Sequence, residues 1–233
     1  MQSPLIVFDL DGTLVDSAAD LTATLNVILA REGLPAVPAA QARAMVGLGA
    51  RVLIRRGFAA AGRDVDGDRL ERLFHDYIAY YTEHIADHTR PFPGVVNTLE
   101  RFAEHGYRLA VCTNKIESGA KKLLADLGML GRFAFVCGQD TFRDGERFLQ
   151  KPDPRTLWLT IEAAGGARDA AVMVGDSGTD IETAQAAGVP VVAVDFGYTD
   201  RPVESFGPDR VVSRFADVFG AAVDLLRSPA RPA

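Results

Sequence analysis

The sequence predicts an α/β protein built on a parallel sheet, with an all-helical segment inserted after the first strand. Short apolar runs that are typical of buried strands recur at 5–8, 108–112, 133–136, 170–174 and 189–194. Between the later runs, apolar residues recur with helical spacing at 95–105, 117–127, 154–164 and 179–187. Strand and helix that alternate in this order indicate right-handed crossovers and helices on both faces of the sheet.

The segment from about residue 17 to residue 89 breaks this alternation. It contains amphipathic helix patterns and no convincing strand, with apolar stripes at Leu21, Leu25, Ile28 and Leu29 and at Leu70, Leu73, Phe74, Tyr77, Ile78 and Tyr81. The prolines of "TRPFPG" at 89–94 disfavour helix and indicate a return linker. We therefore predict an α/β core of residues 1–16 and 90–233, and a helical cap of residues 17–89.

The composition argues against several classes of partner. The 233 residues include 25 Lys and Arg against 31 Asp and Glu, and no basic run could follow a nucleic-acid backbone. No apolar run approaches the roughly 18 residues that span a bilayer. Cys112 and Cys137 lie in apolar stretches that are typical of strands and are expected to be buried free thiols. We expect a cytoplasmic protein that binds neither nucleic acid nor membrane, with monomer or homodimer left open.

Two pairs of acids follow two of the predicted strands. In "IVFDLDGTLVDS" at 6–17, Asp9 and Asp11 point the same way while the chain stays extended, and Gly12 then permits a tight turn beside a ligand. In "GDSGTD", Asp176 and Asp180 follow the strand predicted at 170–174. Because ligands of open parallel sheets bind at the carboxyl ends of the strands, we expect these four acids to converge.

Clustered carboxylates repel one another and require a cation. Mg²⁺ fits this requirement, since it accepts one or two protein carboxylates together with water and substrate phosphate. Lys151 in "QKPDP" could supply a second positive charge. Thr113 and Asn114, at the end of another predicted strand, could donate hydrogen bonds to phosphate oxygens without adding negative charge.

This set of residues indicates phosphoryl transfer. Asp9, the acid nearest the strand, is the predicted nucleophile, because a carboxylate can attack phosphorus and form an aspartyl phosphate. Asp11 would protonate the leaving alkoxide and then activate the attacking water. Mg²⁺ and Lys151 would offset the charge of the transferring group.

The same residues resemble the haloacid dehalogenase superfamily of phosphatases. "DLDGTLVDS" is similar to its first motif, Thr113 to its second, Lys151 to its third and "GDSGTD" to its fourth, in the right order over nearly the whole chain. The resemblance implies a doubly wound, Rossmann-like core with strand order 3-2-1-4-5 and an inserted α-helical cap. It also implies Mg²⁺ bound by the Asp9 carboxylate, the Asp11 backbone carbonyl and the Asp176 side chain, with Asp180 ordering metal-bound water.

Weaker signals resemble one branch of that superfamily, the bacterial phosphoglycolate phosphatases. They are "DSAADL", "MVGLGAR", "CTNK", "FGYTD" and "PDRVV". This resemblance implies hydrolysis of 2-phosphoglycolate, whose carboxylate needs a cationic partner. Arg51, near the Gly47–Gly49 turn, and Lys115, beside the second motif, are the candidates for that role.

Other functions remain open at this point. A signalling receiver domain also holds an acyl phosphate with acids, Mg²⁺, Thr and Lys, but it lacks a large insertion after the first strand. A dehalogenase has no counterpart of Asp11. A sugar phosphomutase with the same motifs is the nearest rival, because the cap decides whether water or a hydroxyl accepts the phosphoryl group. A phosphate-binding protein without turnover is disfavoured by the intact set of acids.

Overall fold

The computed structural model of the chain describes residues 3–38, 41, 45–47, 49–199 and 201–227. Its centre is a six-stranded sheet in which every neighbouring pair is parallel. In chain order the strands are β1 (Leu5–Phe8), β2 (Arg108–Cys112), β3 (Phe135–Cys137), β4 (Ala171–Gly175), β5 (Val191–Val194) and β6 (Arg210–Val212). They lie in the order β3-β2-β1-β4-β5-β6, which confirms the expected 3-2-1-4-5 and adds one edge strand.

Helices cover both faces of this sheet, as expected for a doubly wound fold. These helices are α4 (Val95–Glu104), α5 (Glu117–Asp126), α6 (Pro154–Ala163), α7 (Gly178–Ala187) and α8 (Val218–Arg227). Three earlier helices, α1 (Ala18–Arg31), α2 (Ala50–Ala60) and α3 (Gly67–Glu83), belong to the insertion after β1. Alternate side chains of β1 enter different cores: Ile6 and Phe8 pack with residues of α4 and α8, whereas Leu5 and Val7 pack with residues of α6 and α7. The fully apolar sequence of β1 follows from this burial on both sides.

The chain between β1 and β2 first forms a bundle of α1, α2 and α3, which pack against one another. A two-stranded antiparallel ribbon, Val15–Asp16 with Arg90–Pro91, closes the base of this insertion. Its described residues between 17 and 89 form no strand, in line with the sequence pattern. The domain boundaries themselves, 1–16 with 90–233 and 17–89, stay a prediction.

Several elements differ from the sequence-based expectations. The strand expected at 133–136 begins only at Phe135, because Leu130–Arg132 forms a short 3-10 turn before it. The hairpin of Phe142–Asp144 and Arg147–Leu149 has mostly exposed side chains, so its apolar pattern is weak.

None of the described helices has both the length and the hydropathy that crossing a membrane requires.

Candidate active site

The predicted site residues meet at the carboxyl ends of three adjacent strands. Asp9 directly follows β1, Thr113 follows β2 and Asp176 follows β4. β1 pairs with both β2 and β4, so these three positions lie side by side along one edge of the sheet. Asp9 and Asp176 are buried, where a negative charge without a compensating partner is costly.

Lys151 lies between two of the acids and compensates this charge. Its Nζ is 2.9 Å from Asp9 Oδ1 and 2.5 Å from Asp180 Oδ1, and its side chain is 3% exposed. Burial opposes the charged form of Lys151, but Asp180 and Asp9 outweigh burial and raise the pKa of the amine. Burial raises the pKa of Asp9 to about 6, and the nearby Lys151 limits that rise.

Asn114 holds the backbone of Lys151 in place. Its Nδ2 donates to the backbone carbonyl of Lys151 (3.1 Å), and its Oδ1 accepts from the Lys151 backbone N–H (3.0 Å). The side-chain oxygen and one of the two amide N–H groups are therefore engaged with the Lys151 backbone. The amide nitrogen carries a second N–H, and Asn114 lines the cavity, so donation to a phosphate oxygen stays a prediction.

Asp176 is held by groups from two distant segments. Its Oδ1 accepts from Thr13 Oγ1 at 2.7 Å, and its Oδ2 accepts from the backbone N–H of Tyr198 at 2.7 Å. Burial raises the pKa of Asp176, and the neighbouring Asp180 and Asp9 add to the rise. Gly12, with a φ of 94°, lies so close that an added Cβ would collide with the Asp176 carboxylate. Only glycine therefore fits this turn beside Asp176, and the expected approach of Gly12 to a ligand stays a prediction.

Asp180 is fully engaged within the protein. Its Oδ2 accepts from Ser177 Oγ (2.7 Å) and from the backbone N–H groups of Asp176 and Ser177, and Ser177 in turn caps α7. Its Oδ1 faces Lys151. This carboxylate thus orders the loop after β4 and orients Lys151 at the same time.

Asp11 has partners of its own. Ser17 Oγ donates to its Oδ1 at 2.6 Å, and Lys115 Nζ lies 3.2 and 3.1 Å from its two oxygens. Lys115 Nζ also donates to Tyr81 Oη at 2.8 Å. Because Tyr81 belongs to α3 and Asp11 to the loop after β1, Lys115 connects the inserted helices with that loop.

A cavity of about 60 Å³ opens between the inserted helices and the edge of the sheet. Of the predicted site residues, Asp9, Asp11, Thr113, Asn114 and Lys115 line it. Its opposite wall consists of mainly apolar residues of the insertion, namely Leu21, Val46, Leu53, Tyr77, Ile78 and Tyr81.

The structure does not bring Arg51 into this group. Its guanidinium makes two hydrogen bonds to Glu71, at 2.8 and 2.7 Å, and lies 3.6 Å from the centre of the Phe74 ring. Arg51 is about 40% exposed and does not line the cavity. The expected pairing of Arg51 with a substrate carboxylate has no support here, since a nearby acid on α3 already pairs with this cation.

Sequence reasoning did not identify four of the contact residues: Thr13, Ser17, Tyr81 and Tyr198. Ser17 and Tyr198 do fall within the quoted stretches "DSAADL" and "FGYTD". Tyr81 falls in the aromatic stripe of α3, where its hydroxyl is the only sign of a polar role. Thr13 directly follows Gly12, and nothing local indicates that it reaches Asp176.

Three carboxylates form the part of the described chain best suited to a metal ion. Asp9, Asp176 and Asp180 each offer an oxygen, and these oxygens lie within 4.8 Å of one another. Asp9 Oδ1 is buried without an aligned hydrogen-bond donor, although the Lys151 ammonium is close. An all-oxygen donor set that includes an unsatisfied anionic atom fits a hard divalent cation.

Comparisons with known proteins agree with this geometry. The phosphoglycolate phosphatase of Mesorhizobium japonicum is 51% identical, with 92% of each chain covered. The phosphoglycolate phosphatase of Caulobacter vibrioides is 45% identical, with 97% of this chain and 94% of the relative covered. The crystal structure of a predicted phosphoglycolate phosphatase from Haemophilus somnus 129pt superposes with a TM-score of 0.85 at 31% identity, over 95% of this chain and 98% of that one.

The family profile described as "Haloacid dehalogenase-like hydrolase" matches residues 6–194. This range begins within β1, includes every predicted site residue and ends with β5. The topology, the order of the four motifs and the relatives all point in the same direction. The chain belongs to the haloacid dehalogenase-like hydrolase family and is a hydrolase of the phosphatase type.

Proposed function

We propose that this hydrolase is a Mg²⁺-dependent phosphatase that acts through an aspartyl phosphate, with 2-phosphoglycolate as its substrate. The observation on which the proposal rests is the position of Lys151, 2.9 Å from Asp9 and 2.5 Å from Asp180, beside a small cavity that Asp9 lines. A buried carboxylate that faces a cavity and has a fixed ammonium beside it is suited to receive a phosphoryl group.

Asp9 is the proposed nucleophile. Its carboxylate would attack phosphorus and displace the alkoxide, and water would then hydrolyse the aspartyl phosphate. Lys151 would keep Asp9 ionised against the effect of burial and would offset charge on the transferring oxygens. Thr113 also lines the cavity, and its hydroxyl would donate a hydrogen bond to a phosphoryl oxygen.

Asp9, the Asp11 backbone carbonyl and Asp176 are the proposed ligands of Mg²⁺. When bound, Mg²⁺ would supply positive charge to the phosphoryl oxygens and to the cluster of acids. The unsatisfied Asp9 Oδ1 and the proximity of the Asp176 carboxylate support this choice. Asp180, whose oxygens already accept four hydrogen bonds, would act by orienting its neighbours.

Asp11 is the proposed general acid and base. Its position two residues after Asp9, in the lining of the same cavity, would allow it to reach the leaving oxygen. Ser17 and Lys115 fix its orientation. A proton held there would pass to the leaving alkoxide, and the resulting carboxylate would then accept a proton from the attacking water.

Three features support 2-phosphoglycolate as the substrate. The cavity is bounded by the acids of the core on one side and by the inserted helices on the other, which limits the size of the ester that fits. Lys115 places an ammonium on its wall, where the second anionic group of this substrate needs a cation. Relatives that cover more than nine tenths of this chain are named phosphoglycolate phosphatases.

We also infer a cytoplasmic location, since Cys112 and Cys137 are buried free thiols of the kind that a reducing compartment preserves.

Phosphate release from a panel of esters tests this proposal. The panel would contain 2-phosphoglycolate, small sugar phosphates and mononucleotides, each with Mg²⁺ or with EDTA, for the wild type and Asp9→Asn. We expect a preference for 2-phosphoglycolate that both chelation and the substitution abolish. Turnover retained in Asp9→Asn would refute the nucleophile, and Mg²⁺-dependent release from a different ester would refute only the substrate.

A further inference from the structure

The contact between Lys115 and Tyr81 leaves a hydrogen-bond donor without an acceptor. Tyr81 Oη accepts from Lys115 Nζ at 2.8 Å, so the hydroxyl hydrogen must point elsewhere. Within the described ranges, no residue accepts that hydrogen, although Tyr81 is only 4% exposed. A buried hydroxyl with an unused donor costs free energy unless a ligand or water accepts from it.

The surroundings of this pair favour an anionic ligand. Among the described residues that line the cavity, Lys115 is the sole cation. Its Nζ lies 3.1 and 3.2 Å from the Asp11 oxygens, longer than the 2.7–2.9 Å typical of strong charge-assisted hydrogen bonds. Apolar side chains such as Ile78 and Leu53 line the same cavity, and a less polar surrounding strengthens any ionic contact made there.

The position of the pair also matches the substrate. Asp11 protonates the oxygen that leaves phosphorus, and in 2-phosphoglycolate the carboxylate carbon is two bonds from that oxygen. Any group so near the leaving oxygen must lie close to Asp11. Lys115 contacts Asp11 directly, and Tyr81 contacts Lys115 from the inserted helices.

We propose that Lys115 Nζ and Tyr81 Oη together form a carboxylate subsite that selects phosphate esters with an adjacent carboxylate. One carboxylate oxygen accepts from the ammonium and the other accepts from the tyrosine hydroxyl. Because α3 supplies Tyr81, the subsite is complete only when the inserted helices lie against the core as they do in this structure. The inference rests on the proposed function and adds a residue, Tyr81, that determines specificity.

Two esters that differ only in the carboxylate test the subsite. They are 2-phosphoglycolate and ethyl phosphate, compared by kcat/KM for the wild type and Tyr81→Phe. The substitution removes only the hydroxyl and keeps the aromatic ring. The centre of that ring lies 4.4 Å from Lys115 Nζ, and the ring stacks on Tyr77. We expect kcat/KM for 2-phosphoglycolate to fall about tenfold, mainly through KM, while that for ethyl phosphate changes less than about twofold.

Tyr77→Phe is the matched control. Tyr77 lies one turn earlier on α3 and also lines the cavity, but its hydroxyl donates to the backbone carbonyl of Leu21 at 3.1 Å, not to the cavity. This variant removes a hydroxyl from the same helix, and we expect it to keep the wild-type ratio of the two kcat/KM values. A general disturbance of α3 would lower both rates equally in either variant.

The outcomes separate the subsite from the proposed function. If the wild type hydrolyses 2-phosphoglycolate well but Tyr81→Phe changes both esters equally, or neither, the subsite is refuted and the proposed function stands. If the wild type does not prefer 2-phosphoglycolate to ethyl phosphate, both the proposed substrate and the subsite are refuted. A selective loss in Tyr81→Phe, absent from Tyr77→Phe, supports the subsite.

Discussion

The side-chain amide of Asn114 and the backbone of Lys151 exchange two hydrogen bonds, of 3.1 and 3.0 Å, across a sequence separation of 37 residues. The loop after β2 thereby holds the segment that presents the Lys151 ammonium. Lys151 in turn faces Asp9 and Asp180. A lysine side chain has many rotamers, so a fixed backbone reduces the entropy lost when its ammonium is placed between two acids.

The first prediction concerns Asn114→Ala. Both hydrogen bonds to Lys151 are lost, and we expect kcat to fall at least about tenfold because the ammonium is no longer fixed beside Asp9. The free energy of unfolding should decrease by about 1–3 kcal/mol. Steady-state kinetics and urea unfolding measure the two effects. Asn97→Ala, at an exposed position of α4, is the control and should leave both quantities near wild type. An unchanged kcat in Asn114→Ala would contradict the role of Asn114 in positioning Lys151.

The second prediction concerns the charge of Lys151. Lys151→Met keeps much of the side-chain volume but leaves the buried Asp9 and Asp180 carboxylates without their shared cation. Breaking a buried ion pair from one side costs about 3–5 kcal/mol, so we expect a large loss in the free energy of unfolding. Urea unfolding at neutral pH measures it.

Lys122→Met serves as the control for that experiment. Lys122 pairs with Asp126 on the surface of α5, where both side chains are more than a third exposed. Surface ion pairs contribute about 0–1 kcal/mol, so this variant should unfold near the wild-type midpoint. Equal effects of the two substitutions would mean that Lys151 does not compensate the acids.

The general location of the site could be predicted from local sequence patterns. Asp9, Thr113 and Asp176 each follow an apolar run, and parallel strands bring their carboxyl ends to one edge whatever the loops do. The pairings within the site could not be predicted in this way. Asp11 and Lys115 are 104 residues apart and Thr13 and Asp176 are 163 apart, so no periodicity relates them.

Where the structure differs from the sequence-based expectations, short elements and competing partners explain the difference. β6 has three residues, none of them fully buried, so it lacks the apolar run that identified the other strands. Arg51 was a reasonable candidate for a substrate carboxylate by charge alone. In the structure it pairs with Glu71, which lies 20 residues later on a neighbouring helix. This pairing depends on how α2 packs on α3, which the local sequence does not indicate.

The third prediction concerns the space around Asp176. Gly197 is so close that an added Cβ would collide with the Asp176 carboxylate, so Gly197→Ala should displace one proposed Mg²⁺ ligand. A ligand that binds only the folded chain raises its stability, so Mg²⁺ should raise the melting temperature of the wild type. We expect that increase to be much smaller in Gly197→Ala, as thermal unfolding with and without Mg²⁺ would measure.

Gly220→Ala is the control for this substitution. Gly220 lies in α8, where an added Cβ meets no atom within 4 Å, and alanine favours helix by roughly 0.5–1 kcal/mol. This variant should melt slightly higher than the wild type and keep the full response to Mg²⁺. An equal Mg²⁺ response in Gly197→Ala would argue against Asp176 as a ligand.

The fourth prediction concerns Asp20, a buried acid in the first turn of α1. Its carboxylate accepts from the backbone N–H groups of His88 and Thr89 and from Thr89 Oγ1, at 2.7–3.0 Å. It thus ties the start of the inserted helices to the return segment that precedes Arg90–Pro91. Burial opposes the charged form, but the hydrogen bonds from Thr89 and His88 outweigh burial and lower the pKa of Asp20 below its usual 3.8.

The lowered pKa of Asp20 gives this contribution to stability a defined pH dependence. The folded state binds the Asp20 proton more weakly than the unfolded state does. The stabilisation that ionised Asp20 provides is therefore complete above its unfolded pKa of 3.8, and it disappears as the pH falls through its folded pKa. Asp20→Asn should therefore lower the free energy of unfolding by about 2 kcal/mol at pH 7, and its deficit should shrink below about pH 4. Asp68→Asn, an exposed first-turn acid of α3, should show no such deficit in urea unfolding from pH 3 to 7. If the deficit in Asp20→Asn stays constant over this range, the negative charge of Asp20 does not contribute to the free energy of unfolding.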